Sequence, residues 1–85
     1  MKEEIERIIN LLPKLVDIER ENNVEEIKKA GFKSIDDYNF IKSIQDKFNN
    51  FMQYIQEWEG LEECIPTIKR TFVYIHILRE KNINV

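Results

Sequence analysis

An all-α fold is predicted for this chain of 85 residues, and three features of the sequence carry the prediction. Only two Gly and two Pro interrupt it, whereas a sandwich or barrel of short strands needs turn chemistry roughly every 8–12 residues. Long stretches keep apolar residues at helical spacing. The one segment that alternates like a strand has no second strand to pair with, and unpaired backbone groups in a core are costly. The architecture expected is a three-helix bundle with a short extra helix between the first and second long helices, in a single domain spanning residues 1–85.

The first helix is expected over residues 2–21. At about 100° per residue, Ile5, Ile8, Ile9, Leu12, Leu15 and Val16 fall within an arc of about 120°, and Leu11 and Ile18 widen it. Pro13 lies inside that pattern, where it removes a backbone donor and crowds the preceding turn, so a kink or break is expected there. The stretch "NNVEEIKKAG" reads as the short helix, residues 24–30. Asn23 supplies the N-cap, Glu26 stands where a capping box needs it, and Gly31 is the stop.

A second start follows in "SIDDYNF". Ser34 is the cap and Asp37 its reciprocal partner, and Asp36 and Asp37 both complement the positive end of the helix dipole. The helix is expected to run from 35 to 59, with Gly60 as its left-handed exit. Phe40, Ile41, Ile44, Phe48, Phe51, Met52, Tyr54, Ile55 and Trp58 span an arc of about 160°, wide enough to pack against two neighbours.

In the last segment, "KRTFVYIHIL" is a good strand by propensity. Pro66 nevertheless suits a helix start, and Ile65, Ile68, Phe72 and Ile75 keep helical spacing, so a helix is expected over 65–81. Such a helix is apolar almost all round between Phe72 and Leu78. It must be covered on most sides, by the other helices, by another copy or by another protein.

Composition excludes several function classes. A net charge of −3 and a pI near 5.2 argue against nucleic-acid binding, which needs concentrated Lys and Arg. A single cysteine cannot form an internal disulfide, so Cys64 points to a reducing, cytoplasmic setting, where it reads as a small buried filler. No segment approaches the roughly 20 apolar residues of a membrane span, and "MKEEIERII" is acidic where a signal peptide is basic. Heavy use of Ile, Lys and Asn suggests an AT-rich genome, and hence a bacterial or phage origin.

Three groups of residues are candidates for a site. The acidic corner "EWEGLEEC" sets Glu57, Glu59, Glu62 and Glu63 around Trp58 with no cation among them. That arrangement suits docking onto a basic protein surface with the indole as anchor. Tyr74 joins these as a candidate contact on the apolar last helix. The third group is Arg70 and His76 in "RTFVYIH", whose spacing resembles the arginine and histidine of HEPN-type ribonucleases. The resemblance implies a dimer in which Arg70 and His76 meet their symmetry mates and act on RNA phosphodiesters. On a regular helix the two diverge by about 120°. Read as residues alone, Arg70 is solvated and His76 half-buried.

No phosphate loop, zinc spacing or di-metal carboxylate motif is present, so neither cofactor nor metal is expected. The function expected is that of a small non-enzymatic protein-binding regulator or inhibitor, with self-association through the last helix. The alternatives are the HEPN-like nuclease and an oligomeric bundle that holds a small ligand between subunits.

Overall fold

The chain, seen in a computed structural model, is described over residues 2–20 and 22–80. Helix accounts for 82% of those residues and none lies in a strand, so the all-α expectation holds. The elements are α1 (Lys2–Leu11), continued by a 3-10 helix (Leu12–Asp17), then α2 (Val24–Ala30), α3 (Ile35–Ile55) and α4 (Leu61–Glu80). The expected last residues of the first and last helices, Glu21 and Lys81, lie outside the described residues.

Pro13 breaks the first helix as expected, but the consequence is a change of helix type rather than a kink. In a 3-10 helix successive residues turn by about 120°, so Leu15 eclipses Leu12 while Val16 swings off the shared face. Leu12 is buried and Val16 is 86% exposed, which removes Val16 from the expected core.

The two helix starts in the middle of the chain form where the capping residues place them. The Asn23 side chain accepts a hydrogen bond from the Glu26 backbone N–H at 3.1 Å, and Gly31 closes α2 with φ +117°. Glu26 does not complete a capping box; its carboxylate accepts from the Glu19 backbone instead. Ser34 Oγ accepts from the Asp37 N–H at 3.1 Å and starts α3.

Helix α3 stops at Ile55, short of the expected 59, and residues 56–60 form turns. Glu57 and Glu59 would have faced the negative end of the dipole, and unwinding the last turn frees them from it. Tyr54, at the last turn of α3, is 86% exposed, outside the apolar arc expected for it. Gly60, at φ +72°, turns the chain into α4, which starts at Leu61 and not at residue 65. Pro66 therefore lies inside the helix, early enough that only the first-turn carbonyl of Glu62 loses its partner. Glu62 and Glu63 gain the favourable end of the dipole.

One buried cluster unites the elements, with Ile8, Leu12, Ile27, Tyr38, Ile41, Ile44, Val73 and Ile77 among its members. The molecule measures 42 × 31 × 19 Å, so it is about two helices thick along its shortest dimension. In so thin a body α4 packs inward through Val73, His76 and Ile77 and keeps an outer face.

Candidate functional site

Aromatic rings fasten the end of α3 to the middle of α4. Phe72 meets Phe48 edge-on at 5.7 Å, lies tilted against Phe51 at 5.1 Å, and stacks on the His76 ring at 6.1 Å. On the solvent side of this cluster an apolar groove of about 250 Å³ is lined by Phe51, Trp58, Ile68, Thr71, Phe72 and Ile75. Trp58 stands at its edge, 62% exposed, because the early end of α3 carries the indole off the helix surface.

On its other side Trp58 borders a second depression with Glu62, Glu63 and Ile65. Glu57, Glu59, Glu62 and Glu63 are all exposed. Among the described residues none of the four is ion-paired. The expected acidic corner is thus joined through one indole to a greasy groove that composition did not reveal. Tyr74 is 43% exposed on the same helix but does not line the groove. Cys64 is exposed, not a buried filler, because the earlier start of α4 turns it to the face opposite Val73.

Arg70 and His76 are not brought together. The Arg70 guanidinium, half exposed, pairs with Glu6 of α1. His76 is only 8% exposed, deeper than the half-buried position expected for it. Its Nδ1 lies 2.7 Å from the Phe72 carbonyl oxygen; a carbonyl only accepts, so Nδ1 carries the proton. Nε2 is then a buried lone pair with no partner. Replacing a stranded polar atom with an apolar group of similar shape is neutral or stabilising. The Phe72 carbonyl keeps its backbone donor in such a variant. His76→Leu is therefore expected to hold or raise the melting temperature, by up to about 1 kcal/mol of stability, as followed by circular dichroism.

A polar cluster at the other end of the bundle escaped the sequence reading. Arg7 donates to Glu4 at 2.7 and 3.1 Å and to Asp37 at 2.9 and 3.0 Å, which ties α1 to α3. Asp37 also accepts from the Lys33 backbone at 3.0 Å, so it reaches beyond the cap residue it was expected to reciprocate. Hydrogen bonds from Arg7 hold the Glu4 carboxyl below its usual range. For Asp37, burial pushes upward, but the bonds from Arg7 and the Lys33 backbone outweigh it and the net shift is downward. Arg7, with Glu4 and Asp37 both accepting from it, is held still more firmly protonated than usual. Most of its donors are spent within the molecule, so this cluster is a clamp.

Among the described residues no group of three or more His, Cys, Asp or Glu side chains could hold a metal. Among those residues, too, no helix is long and apolar enough to cross a membrane. No protein-family model matches the chain, and neither does any curated protein or solved structure.

Proposed function

We propose that this chain is a small non-enzymatic protein-binding module, a regulator or inhibitor that acts by occupying a partner's surface. The observation that supports it is Trp58, a large aromatic held in solvent where an apolar groove meets an unpaired acidic corner. Aromatic anchors of this kind dominate binding energy when a partner covers them. Carboxylates at the rim add orientation and association rate more than affinity. The partner class that answers both features is a protein segment with an apolar side chain for the groove and Lys or Arg beside it for Glu57, Glu59, Glu62 and Glu63.

The alternatives draw on less. Arg70 is committed to Glu6, and the free nitrogen of His76 is buried, so a nuclease would need both to be released. For a ligand between subunits the same groove offers an apolar wall.

Trp58 is the single tryptophan, so its fluorescence reports on the site directly. Tagged protein expressed in its source cell is expected to retain a partner identifiable by mass. Trp58→Ala is expected to weaken that complex about 30-fold or more while leaving the melting temperature nearly unchanged. Reversing Glu62 and Glu63 to Lys is expected to slow association and flatten its salt dependence. Capture that survives all three substitutions unaltered would sink the reading.

A further inference from the structure

We infer that the segment docked at Trp58 is an amphipathic α-helix, apolar on the side that enters the groove and basic at the end that lies over the acidic corner. This rests on the reading above that the site receives a protein, and it adds the conformation and the direction of what is received.

The conformation follows from what the groove lacks. At Phe51 and from Thr67 to Ile75 its walls belong to α3 and α4, whose backbone groups there are bonded within their own helices. Its polar side-chain groups are two threonine hydroxyls and the indole N–H, and Thr71 Oγ1 already donates to the Thr67 carbonyl at 2.9 Å. An extended segment pressed into it would turn backbone N–H and C=O groups toward a wall that cannot answer them, a cost comparable to losing those bonds outright. A helix satisfies its own backbone and offers only side chains. The groove also has the length for one. From Thr67 to Ile75 it runs about 12 Å along α4, about two turns, which takes apolar anchors at i, i+4 and i+7.

Charge gives the direction. At the start of α4, Glu57, Glu59, Glu62 and Glu63 are exposed and, among the described residues, without ion-pair partners. The cations farther along α4 are engaged: Lys69 Nζ lies 5.5 Å from the centre of the Phe48 ring, and Arg70 pairs with Glu6. At the other end of the groove, Arg79 stands one turn beyond Ile75 and Lys47 one turn before Phe51. Each has an acidic neighbour in the chain, Glu80 and Asp46, so that end is close to neutral. The groove therefore runs from a strongly negative end to a near-neutral one, and a helix with Lys or Arg at one end is complementary to it in one direction only. Glu62 and Glu63 lie about 13 Å along α4 from Thr71, the middle of the groove, so the partner's basic residues stand about two turns from its apolar anchors. The same carboxylates repel an anionic membrane surface.

The probe is a tryptophan-free peptide of about 20 residues, long enough to hold a helix, with Leu at i, i+4 and i+7 and Lys residues two turns beyond. Its binding is read by Trp58 fluorescence. The parent peptide is expected to bind at micromolar concentration, to gain helix by circular dichroism, and to bind more weakly as salt is raised. Replacing its Lys by Glu, or placing a Pro between its Leu anchors, is expected to weaken binding about tenfold or more. Glu62→Lys with Glu63→Lys brings the corner to no net charge and is expected to erase the preference between the Lys and Glu peptides. Ile75→Lys, at a 40% exposed position, is expected to fold normally and to lose the parent peptide.

A proline or glutamate peptide that binds as tightly as the parent, or a parent that does not bind at millimolar concentration, would overturn the inference. So would uptake onto phosphatidylglycerol vesicles in preference to the peptide, or self-association that Ile75→Lys abolishes, since a membrane or a second copy would then fill the groove. In each of these cases, capture of a cellular partner that still depends on Trp58 would leave the docking reading standing, and capture that ignores Trp58 would end it as well.

Discussion

Ile41→Ala is expected to cost about 3–4 kcal/mol of folding stability and to lower the melting temperature by roughly 15–25 °C. Ile41 is fully buried on α3, in the cluster that includes Ile8, Leu12 and Ile44 and reaches Val73 and Ile77 of α4. Removing most of its side chain loses the transfer free energy and leaves a cavity that three different elements would have to move to fill. A domain of this size holds a total stability of roughly 4–13 kcal/mol, so the variant is expected to be largely unfolded at modest urea concentration. Ile41→Val, which deletes one methylene, is expected to cost only about 1 kcal/mol. Urea titration followed by circular dichroism separates the two. A cost under about 1 kcal/mol for the alanine variant would mean that α3 does not sit at the centre of the core.

The Arg7 clamp predicts the second large effect. Arg7→Met keeps much of the side chain's length but leaves Glu4 and Asp37 without their shared cation, two like charges near each other and partly desolvated. At neutral pH the loss is expected to be about 2–3 kcal/mol, below the cost of breaking a fully buried pair because Arg7 and Glu4 keep some exposure. The pH dependence follows from the directions of the shifts. Glu4 and Asp37 both have folded values below the ordinary range. Their contribution is therefore present above the unfolded values of about 4 and is lost as pH falls through the lower folded values. Wild type is expected to lose stability steeply under those conditions. In Arg7→Met the carboxyls are no longer held down, so the acid loss shrinks and the two proteins converge toward pH 3, roughly one unit below those unfolded values. Urea midpoints measured at neutral pH and near pH 3 check the sign as well as the size.

Where local chemistry decided the backbone, the sequence was legible. Asn23, Gly31 and Ser34 cap and terminate the helices on which they were placed, because a capping oxygen needs only a backbone N–H three residues away. Pro13 broke α1 for an equally local reason. Projection failed where it assumed one helix type or one helix length. Val16 left the core because a 3-10 turn rotates faster than an α turn, and Trp58 left it because α3 ended a turn early, while Tyr54, still helical, stands at the edge of the arc, where no neighbour covers it. The Pro66 signal placed the start of α4 a turn late, since proline is also tolerated a few residues inside a helix.

The site divides along the same line. Glu57, Trp58, Glu59, Glu62 and Glu63 were visible as a charged corner around an aromatic, for they are neighbours in the chain. The groove was not, because Phe51 and Ile75 become neighbours only when α4 lies beside α3.

By itself, then, the sequence determined the helical class, the starts of the first three helices, the end of α2 and the presence of a last helix with more apolar surface than one side can bury. These follow from periodicity, caps and turn residues, which act over a few residues. Only the tertiary structure decided which side of α4 is inward, that Arg7 grips Asp37 thirty residues away, and that the indole of Trp58 is left standing in solvent. Those outcomes depend on how helices lie against one another, a balance of burial and charge among residues that no local pattern brings together.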